Sequence, residues 1–328
     1  MESNRDLDGS DRRRPVNAPE PKRVAGPGAD LDSASGRELD LSPEQFAVLN
    51  TRVLGVAYRI VGSWADAEEI ASRTWMRWHT SRPDTVREPA AWLTTVATRI
   101  SLDLWRTAVR RREDYIGPWL PEPVDEARLP DESVEQRETL SLALMHLMER
   151  LTPYERAVYV LRNSFDFSYP EIAEMVGRAP AACRQLGHRA QQKIGDLPAR
   201  LSDGDQRSAL DRLVSAVLQG RVEDAVALIS ADAVLLTDGG GRTRAALNPV
   251  LGAERVVRFL VGVVEKTRRS VPDDAVSLDM IDVNGAPACR FTTGGVVRVF
   301  TLQLDEQGAI STVFGLSNPE KLTGLQTA

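Results

Sequence analysis

The amino-acid sequence predicts a multidomain protein in which two all-α helical domains are followed by an α+β domain. Between residues 42 and 200, apolar residues recur at helical spacing in several segments. From about residue 205, helical patterns give way to short runs with β-branched alternation, which are typical of strands. The length of 328 residues also fits two or three domains of ordinary size.

Composition limits the classes of protein to be considered. Residues 1–41 are rich in Asp, Arg, Pro, Gly and Ser without an apolar period, so we expect a disordered tail. No apolar run approaches the roughly 18 residues of a membrane span, and the N-terminus lacks the apolar core of a signal peptide. We therefore expect a soluble, cytoplasmic protein with no membrane contact. Cys183 and Cys289 have neither paired nor metal-type spacing, so we expect buried thiols, no disulfide and no metal site.

The first helical domain is predicted over residues 42–114. Ser42 and Pro43 can cap and open the first helix, and Gly62 ends its apolar pattern. The acidic residues 66–69 then open a second helix, where carboxylates complement the positive end of the helix dipole. Three closely spaced tryptophans in this segment indicate either a packed core or a protein-binding face.

The third predicted helix is long and basic. Apolar residues repeat every four positions from Trp92 as a core stripe, whereas Arg99, Arg106 and Arg110 align on another side. Asp103 is spaced to bridge Arg99 and Arg106, which would orient both arginines. Arg, Thr and Trp together on a basic helix suit stacking on unpaired bases. A charged, solvated face on a helical bundle is the alternative.

A Pro-rich acidic connector is predicted over residues 115–138. Its first part, YIGPWLPEP, has three prolines in six residues, which favours an extended path over a helix. Trp119 and Leu120 are apolar enough to dock on another part of the molecule. The second helical domain, residues 139–200, follows with a capped helix start at Thr152 and Pro153.

The second helical domain ends with the pattern of a helix-turn-helix. Gly177 tolerates the left-handed turn between its helices, and Pro180 suits the first position of the second helix. That helix is basic in a chain of net charge −6, as expected for a segment that faces DNA phosphates and bases. The residues that carry this prediction are Arg178, Arg184, Gln185, His188, Arg189 and Lys193. A helical hairpin with a solvated basic face is the alternative.

The α+β domain is predicted over residues 205–322, with a curved sheet. The predicted strands cover residues 233–236, 276–281, 288–292, 296–304 and 310–314. Asp238 and Gly239 follow the first of these strands and form a strong hairpin-turn signal. However, residues 239–241 are all glycine, which is more than a turn needs, so a close contact with another backbone is also open.

Together these segments resemble bacterial sigma factors of the extracytoplasmic-function group over about residues 46–200. LGVAYRIVGSWADAEEI is similar to the family's first core-polymerase-binding segment, WLTTVATRISLDLWR to the segment that recognises the promoter −10 element, and the helix-turn-helix to the one that reads the −35 element. The connector, RQLGHRA, DGGG and NPEKL resemble a subgroup with a C-terminal SnoaL-like extension, the sigma-J type. The resemblance implies sigma region 2, sigma region 4 and a SnoaL/NTF2-like cone domain.

The resemblance also implies an alternative sigma factor that binds core RNA polymerase, through the β′ clamp and β flap, and promoter DNA, without a cofactor. The residues implied at core polymerase are Asp66, Glu68, Glu69, Trp75 and Trp78. Those implied at the −10 strand are Trp92, Thr95, Arg99, Asp103, Arg106 and Arg110. Those implied at the −35 duplex are Arg178, Arg184, Gln185, His188, Arg189 and Lys193. We further hypothesise a regulatory contact of the C-terminal domain with the connector or first domain, through Asp238, Gly239, Gly240, Gly241, Asn318, Pro319, Glu320, Lys321 and Leu322.

Two positions depart from the family pattern, and two other functions stay open. Ser72 and Arg73 stand where the wider family has Gln-Glu, and Glu320 stands where the subgroup has Asp. A stand-alone helix-turn-helix repressor with a ligand-sensing tail would bind DNA without polymerase, but the connector and the third helix favour a sigma factor. Cyclase or isomerase activity needs a carboxylate base and enolate donors, commonly Tyr or His. The sequence after residue 200 contains no His, Tyr or Trp, so we expect no enzyme activity, whereas a small-molecule ligand of this domain is open.

Overall fold

The protein consists of a helical half followed by a sheet packed with further helices. A computed structural model describes residues 41–81, 86–125, 140–195, 202–270 and 276–325. Within these ranges, residues 106–113 and 270 are described by their backbone alone. The predicted tail therefore lies outside the described residues, apart from Leu41. The helices are α1 (Pro43–Val61), α2 (Trp64–Thr80), α3 (Pro89–Glu113), α4 (Leu142–Met148), α5 (Pro153–Asn163), α6 (Tyr169–Val176), α7 (Pro180–Ile194), α8 (Asp203–Leu218), α9 (Val222–Ala227) and α10 (Ala253–Ser270). The strands are β1 (Ile229–Asp238), β2 (Val250–Leu251), β3 (Val276–Val283), β4 (Ala286–Thr293), β5 (Val296–Leu304) and β6 (Ile310–Leu316).

Local sequence explains where the helices of the first half begin and end. Ser42 caps α1 in a reciprocal capping box, in which its Oγ accepts from the backbone N–H of Gln45 and Gln45 Oε1 accepts from the backbone N–H of Ser42. Thr152 forms the same motif at the start of α5, and each such cap contributes about 1 kcal/mol to stability. Gly62 ends α1 with φ of 74°, a left-handed conformation that glycine adopts without strain. The predicted caps at Ser42 and Thr152 are confirmed.

The described helices before residue 195 pack around one continuous hydrophobic core. Arg156 of α5 is fully buried at this junction. Its Nε donates to the Arg59 carbonyl oxygen at 2.7 Å, its Nη1 donates to Glu149 Oε1 at 2.6 Å, and its guanidinium lies over the Trp105 ring. Because Arg59 and Trp105 belong to the first predicted domain and Arg156 to the second, the two helical domains are in direct contact.

The second half contains a six-stranded sheet with the order β2-β1-β6-β5-β4-β3. Strand β1 pairs with β6 in parallel, and the other neighbours are antiparallel. The β3–β4 hairpin turns at Asn284 and Gly285, which both have positive φ, as a two-residue hairpin turn requires. Five of the six strands contain the predicted segments. Strand β2 and helix α10 were not predicted.

Both faces of the sheet are covered. Because successive side chains of a strand point to opposite faces, neighbouring residues of β6 enter different cores: Val313 packs with α8, α9 and α10, whereas Phe314 packs on the other side. The second face is covered by Leu120 of the connector, by Leu142 of α4 and by the segment after β6, which contains Leu322. The described part of the connector, residues 115–125, therefore lies between the sheet and the helical half. Among the described helices, none combines the length and the hydropathy that a membrane span needs.

Candidate nucleic-acid interface

Helices α6 and α7 form the predicted helix-turn-helix. Gly177 joins them with φ of 67°, and Pro180 occupies the first turn of α7. Buried residues of α7 follow the helical period and fix this helix against the core. They are Cys183, Leu186, Ala190 and Ile194. The opposite face of α7, which includes Arg184, Gln185 and His188, is exposed.

Glu155 draws part of the basic face of α7 toward α5. Its carboxylate lies 2.7 Å from Lys193 Nζ and 3.5 Å from Arg189 Nε. Burial tends to raise the pKa of Glu155, but hydrogen bonds from Lys193 and Thr152 outweigh burial, so its pKa is lowered and the carboxylate stays charged. Arg189 and Lys193 are thus partly engaged within the protein.

The other predicted −35 residues differ in how free they are. The Arg178 guanidinium lies 4.1 Å from the centre of the Tyr154 ring, and the His188 ring is 3.1 Å from the Gln192 amide. Arg184 and Gln185 are exposed and make no hydrogen bond or ion pair with another residue that the structure describes. These two side chains are the ones that can turn to a DNA base edge without breaking an internal contact.

Helix α3 carries the predicted −10 residues. Trp92 is half-buried with its ring edge-on to that of Trp78, and the Thr95 hydroxyl donates to the Ala91 carbonyl oxygen at 2.8 Å. Asp103 is exposed. The side chains of Arg106 and Arg110 lie outside the described part of the chain, so their predicted alignment stays a prediction.

Arg99 of α3 contacts the helix-turn-helix. Its Nε donates to the Met175 carbonyl oxygen and its Nη2 to the Glu174 carbonyl oxygen, both at 2.9 Å. These carbonyls belong to the last turn of α6, where a cation also complements the negative end of the helix dipole. A side chain predicted to face single-stranded DNA is therefore used here to join the two helical domains.

The predicted polymerase-binding residues divide by burial. Glu68 and Glu69 are exposed, and Asp66 is half-exposed near the N-terminus of α2. Trp75 and Trp78 are buried, so they can support a binding surface but do not form one. Half-exposed Arg73, which departs from the family pattern, lies 3.6 Å from the Glu69 carboxylate.

The connector is held by a buried polar cluster, which we call the connector clamp: Tyr115, Trp119 and Leu120 of the connector with Asp238, Asn318 and Lys321 of the sheet domain. The fully buried Asp238 carboxylate accepts from Tyr115 Oη, from the Leu120 N–H at 2.9 Å and from Lys321 Nζ at 2.7 Å. Lys321 Nζ also donates to the Leu120 carbonyl oxygen and lies 3.2 Å from the centre of the Trp119 ring. Asn318 Nδ2 donates to Tyr115 Oη at 2.8 Å.

Glycine allows the connector to come this close. Gly240 has φ of +57°, and a Cβ built there would lie 2.3 Å from Asn318 Nδ2 and 2.9 Å from Tyr115 Oη. Gly241 has φ of +69°, and its Cβ would lie 2.9 Å from Ile116 Cδ1. A Cβ at Gly239 would lie 2.6 Å from the Thr243 carbonyl oxygen. Gly240 and Gly241 thus allow a close contact with the connector, whereas Gly239 allows the loop of the β1–β2 connection to fold closely on itself. The three glycines do not form a two-residue hairpin turn.

Replacing Gly240 with alanine should open the connector clamp. The added methyl group would displace Asn318 and Tyr115 and strain a left-handed backbone, so the free energy of unfolding should fall by about 2 to 4 kcal/mol. Gly220 is the matched control, because it has φ of +68° and no atom within 4 Å of the built Cβ. Urea unfolding should show a loss for Gly220→Ala of only about 1 to 2 kcal/mol. Equal losses in the two variants would contradict a tight contact at Gly240.

Asn284 forms a second junction, at the tip of the β3–β4 hairpin. It is fully buried with φ of 54°. Its Oδ1 accepts from the Val124 N–H at 2.9 Å, and its Nδ2 donates to Tyr58 Oη at 2.7 Å and to the Leu140 carbonyl oxygen at 2.9 Å. One side chain of the sheet domain thereby contacts the first helical domain, the connector and the start of the second helical domain.

Comparisons with known proteins agree with this layout. The model of Sigma-70 region 2 matches residues 48–111, and that of Sigma-70, region 4 matches residues 141–194. The chain is 35% identical over 293 residues to the ECF RNA polymerase sigma factor SigJ of Mycobacterium tuberculosis, covering 85% of this chain and 93% of that protein.

The chain belongs to the extracytoplasmic-function sigma factors.

Other relatives extend the comparison. A crystal structure of M. tuberculosis SigJ matches with a TM-score of 0.70 and 30% identity, over 86% of this chain and 98% of the other. The probable sigma factor SigI of the same species is 30% identical over 183 residues, covering 52% of this chain and 61% of that protein. This sigma factor therefore binds core RNA polymerase and promoter DNA and directs transcription initiation. Helices α1–α3 and α4–α7 lie in regions 2 and 4, and the SigJ match extends over the C-terminal sheet domain.

Several residues that hold this sigma factor together were not found from the sequence. Tyr58, Arg156 and Asn284 each bridge segments far apart in the chain. The Asn-Gly pair at residues 284–285 does signal a hairpin turn, but nothing local indicates that its asparagine is buried against region 2.

Within the described residues, no group of three or more His, Cys, Asp or Glu side chains could hold a metal ion.

Proposed function

We propose that the C-terminal domain keeps this sigma factor in a closed arrangement, in which regions 2 and 4 cannot engage a promoter together. Opening of the connector clamp then frees them to bind the −10 and −35 elements. The observation that carries this proposal is the position of Arg99: its guanidinium is bound to α6 of region 4, in a helical half joined to the sheet domain by the connector clamp and Asn284.

The size of the helical half supports this proposal. The two promoter elements lie roughly 25 base pairs apart by their positions, which is roughly 85 Å of duplex at 3.4 Å per base pair. A compact unit of about 150 residues has a radius of gyration of only about 15 Å. With Arg99 on the last turn of α6, regions 2 and 4 are too close together to occupy both elements at once.

We assign the separate surfaces in the opened protein as follows. Asp66, Glu68 and Glu69 face the β′ clamp of polymerase, and region 4 faces the β flap. Arg184 and Gln185 contact base edges of the −35 duplex, because they are exposed and uncommitted. His188, Arg189 and Lys193 support phosphate contacts on the same helix. The protein acts in the cytoplasm, where polymerase and promoter DNA are found.

Release of region 4 adds a surface for the −10 strand. Arg99 is freed from the Glu174 and Met175 carbonyl oxygens and joins half-buried Trp92 and Thr95 on α3. Arginine and tryptophan together offer a cation and a stacking surface for unpaired bases. The strand-facing side of region 2 is therefore complete only when regions 2 and 4 have separated.

We infer that the C-terminal domain is a regulatory module and not an enzyme. Asp238 is one carboxylate of this domain that could act as a general base. It is fully buried, and three donors of the connector clamp already bind its carboxylate. The sequence after residue 200 offers no Tyr, His or Trp to stabilise an enolate. The sheet domain instead places its polar residues against the connector, where they control the arrangement of regions 2 and 4.

The separation of regions 2 and 4 can be measured with two dyes on the full-length protein. Exposed Met76 of α2 and exposed Gln191 of α7 are suitable positions for Met76→Cys and Gln191→Cys. The native cysteines are buried, and burial raises the pKa of Cys289 to about 11, so they should label slowly. Energy transfer should be high in the free protein and fall when core polymerase and promoter DNA are added. Unchanged transfer in an active initiation complex would refute the closed arrangement.

A further inference from the structure

The C-terminal domain contains a cavity with a basic mouth. Its volume is about 620 Å³, and it lies between α10, the β4–β5 turn, the end of β6 and the β1–β2 loop. Four cationic side chains line it, namely Arg244, Arg258, Lys266 and Arg298. Its described lining contains no acidic side chain. Arg258 is paired with Glu254 on the surface of α10, whereas the other three cations form no ion pair with any described residue.

Arg298 is the cation set deepest in this cavity. It alternates with Phe300 and Leu302 along β5, so its side chain projects from the face of the sheet that α8 and α10 cover. The side chain is half-buried, and its Nη1 donates to Thr293 Oγ1 at 2.7 Å. Burial lowers the pKa of its guanidinium, which nevertheless stays charged at neutral pH. A partly desolvated cation without a carboxylate partner is unfavourable, and a bound anion would compensate for the lost hydration.

The cavity becomes apolar with depth. Phe259, Val263 and Phe300 line it and are half-buried, whereas the cations Arg244, Arg258 and Lys266 are exposed. Val263 and Phe300 also border a smaller space of about 70 Å³ between α8, α10 and the sheet, whose other lining residues are almost all apolar. Gly315 lies beneath Phe300, where a Cβ would come within 2.9 Å of the ring. Three cations therefore lie at the mouth, Arg298 lies deeper, and the interior beside it is apolar.

We propose that this cavity binds a small molecule with an oxyanion, a carboxylate or phosphate group, on an apolar body. Arg298 and Lys266 bind the oxyanion, and the apolar body packs on Phe300 and Val263. Carboxylate and phosphate are both candidates for the oxyanion, because a guanidinium group binds either of them with paired hydrogen bonds.

The cavity shares structure with the connector clamp. Arg244 lies in the loop that contains Gly240, and Ser317 lines the cavity directly before Asn318 of the clamp. The hydroxyl groups of Ser317 and Thr243 are 2.6 Å apart, and the Ser317 N–H donates to the Asp238 carbonyl oxygen at 2.8 Å. A ligand that displaces this loop will change the affinity of the sheet domain for the connector. This regulatory consequence rests on the proposed function, whereas binding itself does not.

Calorimetry on the full-length protein tests binding, with octanoate and octyl phosphate as probes. Octanol and inorganic phosphate are the controls that lack the anion or the apolar body. We expect both amphiphilic anions to bind at least about tenfold more tightly than either control, and the better of the two identifies the oxyanion. Octanol binding as tightly as the anions, or no binding of any probe at about 1 mM, would overturn the proposal.

Variants that remove single cations test whether the anion binds in this cavity. Arg298→Gln and Lys266→Gln should each weaken binding of the better anion about fivefold or more, since each removes a charge-assisted hydrogen bond. Arg255→Gln is the control, because Arg255 is exposed on the same helix α10 but does not line the cavity. Exposed Lys266 keeps the test valid should Arg298→Gln fail to fold. Equal binding by Lys266→Gln and Arg255→Gln would overturn the assignment.

The dye-labelled protein separates this inference from the proposed function. If the anion binds but leaves energy transfer unchanged, the site stands and its coupling to the connector clamp is refuted. If core polymerase with promoter DNA leaves energy transfer unchanged, the closed arrangement itself is refuted, and this is seen without any ligand.

Discussion

Replacing Asp238 with asparagine is expected to lower the free energy of unfolding by about 3 to 5 kcal/mol, because it breaks a buried ion pair and removes the carboxylate that compensates the buried charge of Lys321. Asparagine has nearly the same shape as aspartate, but its side-chain amide cannot accept the same hydrogen bonds. Both carboxylate oxygens accept hydrogen bonds, from Tyr115 and Gly240 on one side and from Leu120 and Lys321 on the other. An asparagine NH₂ group would face donors on either side.

Opening the connector clamp should also change activity. With Asp238→Asn, energy transfer between the dyes in regions 2 and 4 should fall in the free protein, and run-off transcription should reach its plateau at a lower concentration of sigma factor. The control is Glu320→Gln, which removes the nearby ion pair between Arg242 and Glu320. Their side chains are 64% and 66% exposed, so that pair is worth less than about 1 kcal/mol. The clamp has no such role if the two variants unfold at the same urea concentration and transcribe alike.

Replacing Asn284 with alanine should have the second largest effect. The change removes the partner of the Val124 N–H, the Leu140 carbonyl oxygen and Tyr58 Oη, all buried between three segments. A buried polar group left without a partner costs about 1 to 3 kcal/mol. Tyr58 Oη still donates to the Glu122 carbonyl oxygen at 2.6 Å, so we expect a total loss of about 3 kcal/mol in urea unfolding rather than the full sum.

Two further substitutions separate the side chain of Asn284 from its backbone. Asn284→Gly tolerates a φ of 54° but also lacks the amide, so it should lose nearly as much stability as Asn284→Ala. Asp166 has φ of 55° but is exposed, and Asp166→Ala should report the backbone strain alone, about 1 kcal/mol. A loss in Asn284→Ala no greater than in Asp166→Ala would show that the hydrogen bonds at this junction contribute little.

Local sequence was enough to predict the elements whose causes are local. The caps at Ser42 and Thr152, the turn at Gly177 and the non-helical path of residues 115–125 each depend on residues within one turn of the chain. Helix α10 was missed because its many valines favour strands, although Val256, Val257 and Leu260 keep the helical period and are buried. Packing against the sheet decided its conformation.

The contacts between regions could not be read from local patterns. Arg99 was predicted to face DNA because its spacing places it on a basic stripe, and spacing does not reveal that the last turn of α6 is within its reach. The same limit applies to Arg156, since a buried arginine is recognisable only from its partners. The predicted contact of Asp238 and the glycine loop with the connector came from the family resemblance. The reason for Gly240 and Gly241 lies in the close approach of Tyr115 and Ile116, which local sequence does not reveal.

The connector clamp joins residues that the ribosome adds to the chain at widely separated times. Tyr115 and Asp238 are separated by 123 positions. At about 5 to 20 residues per second, the ribosome needs roughly 6 to 25 s to reach Asp238 after Tyr115. In the last part of this interval, once residue 194 has been made, regions 2 and 4 are complete but have no C-terminal domain to close them. A nascent chain close to the chromosome therefore passes through a short period in which polymerase can compete for it before its own last domain does.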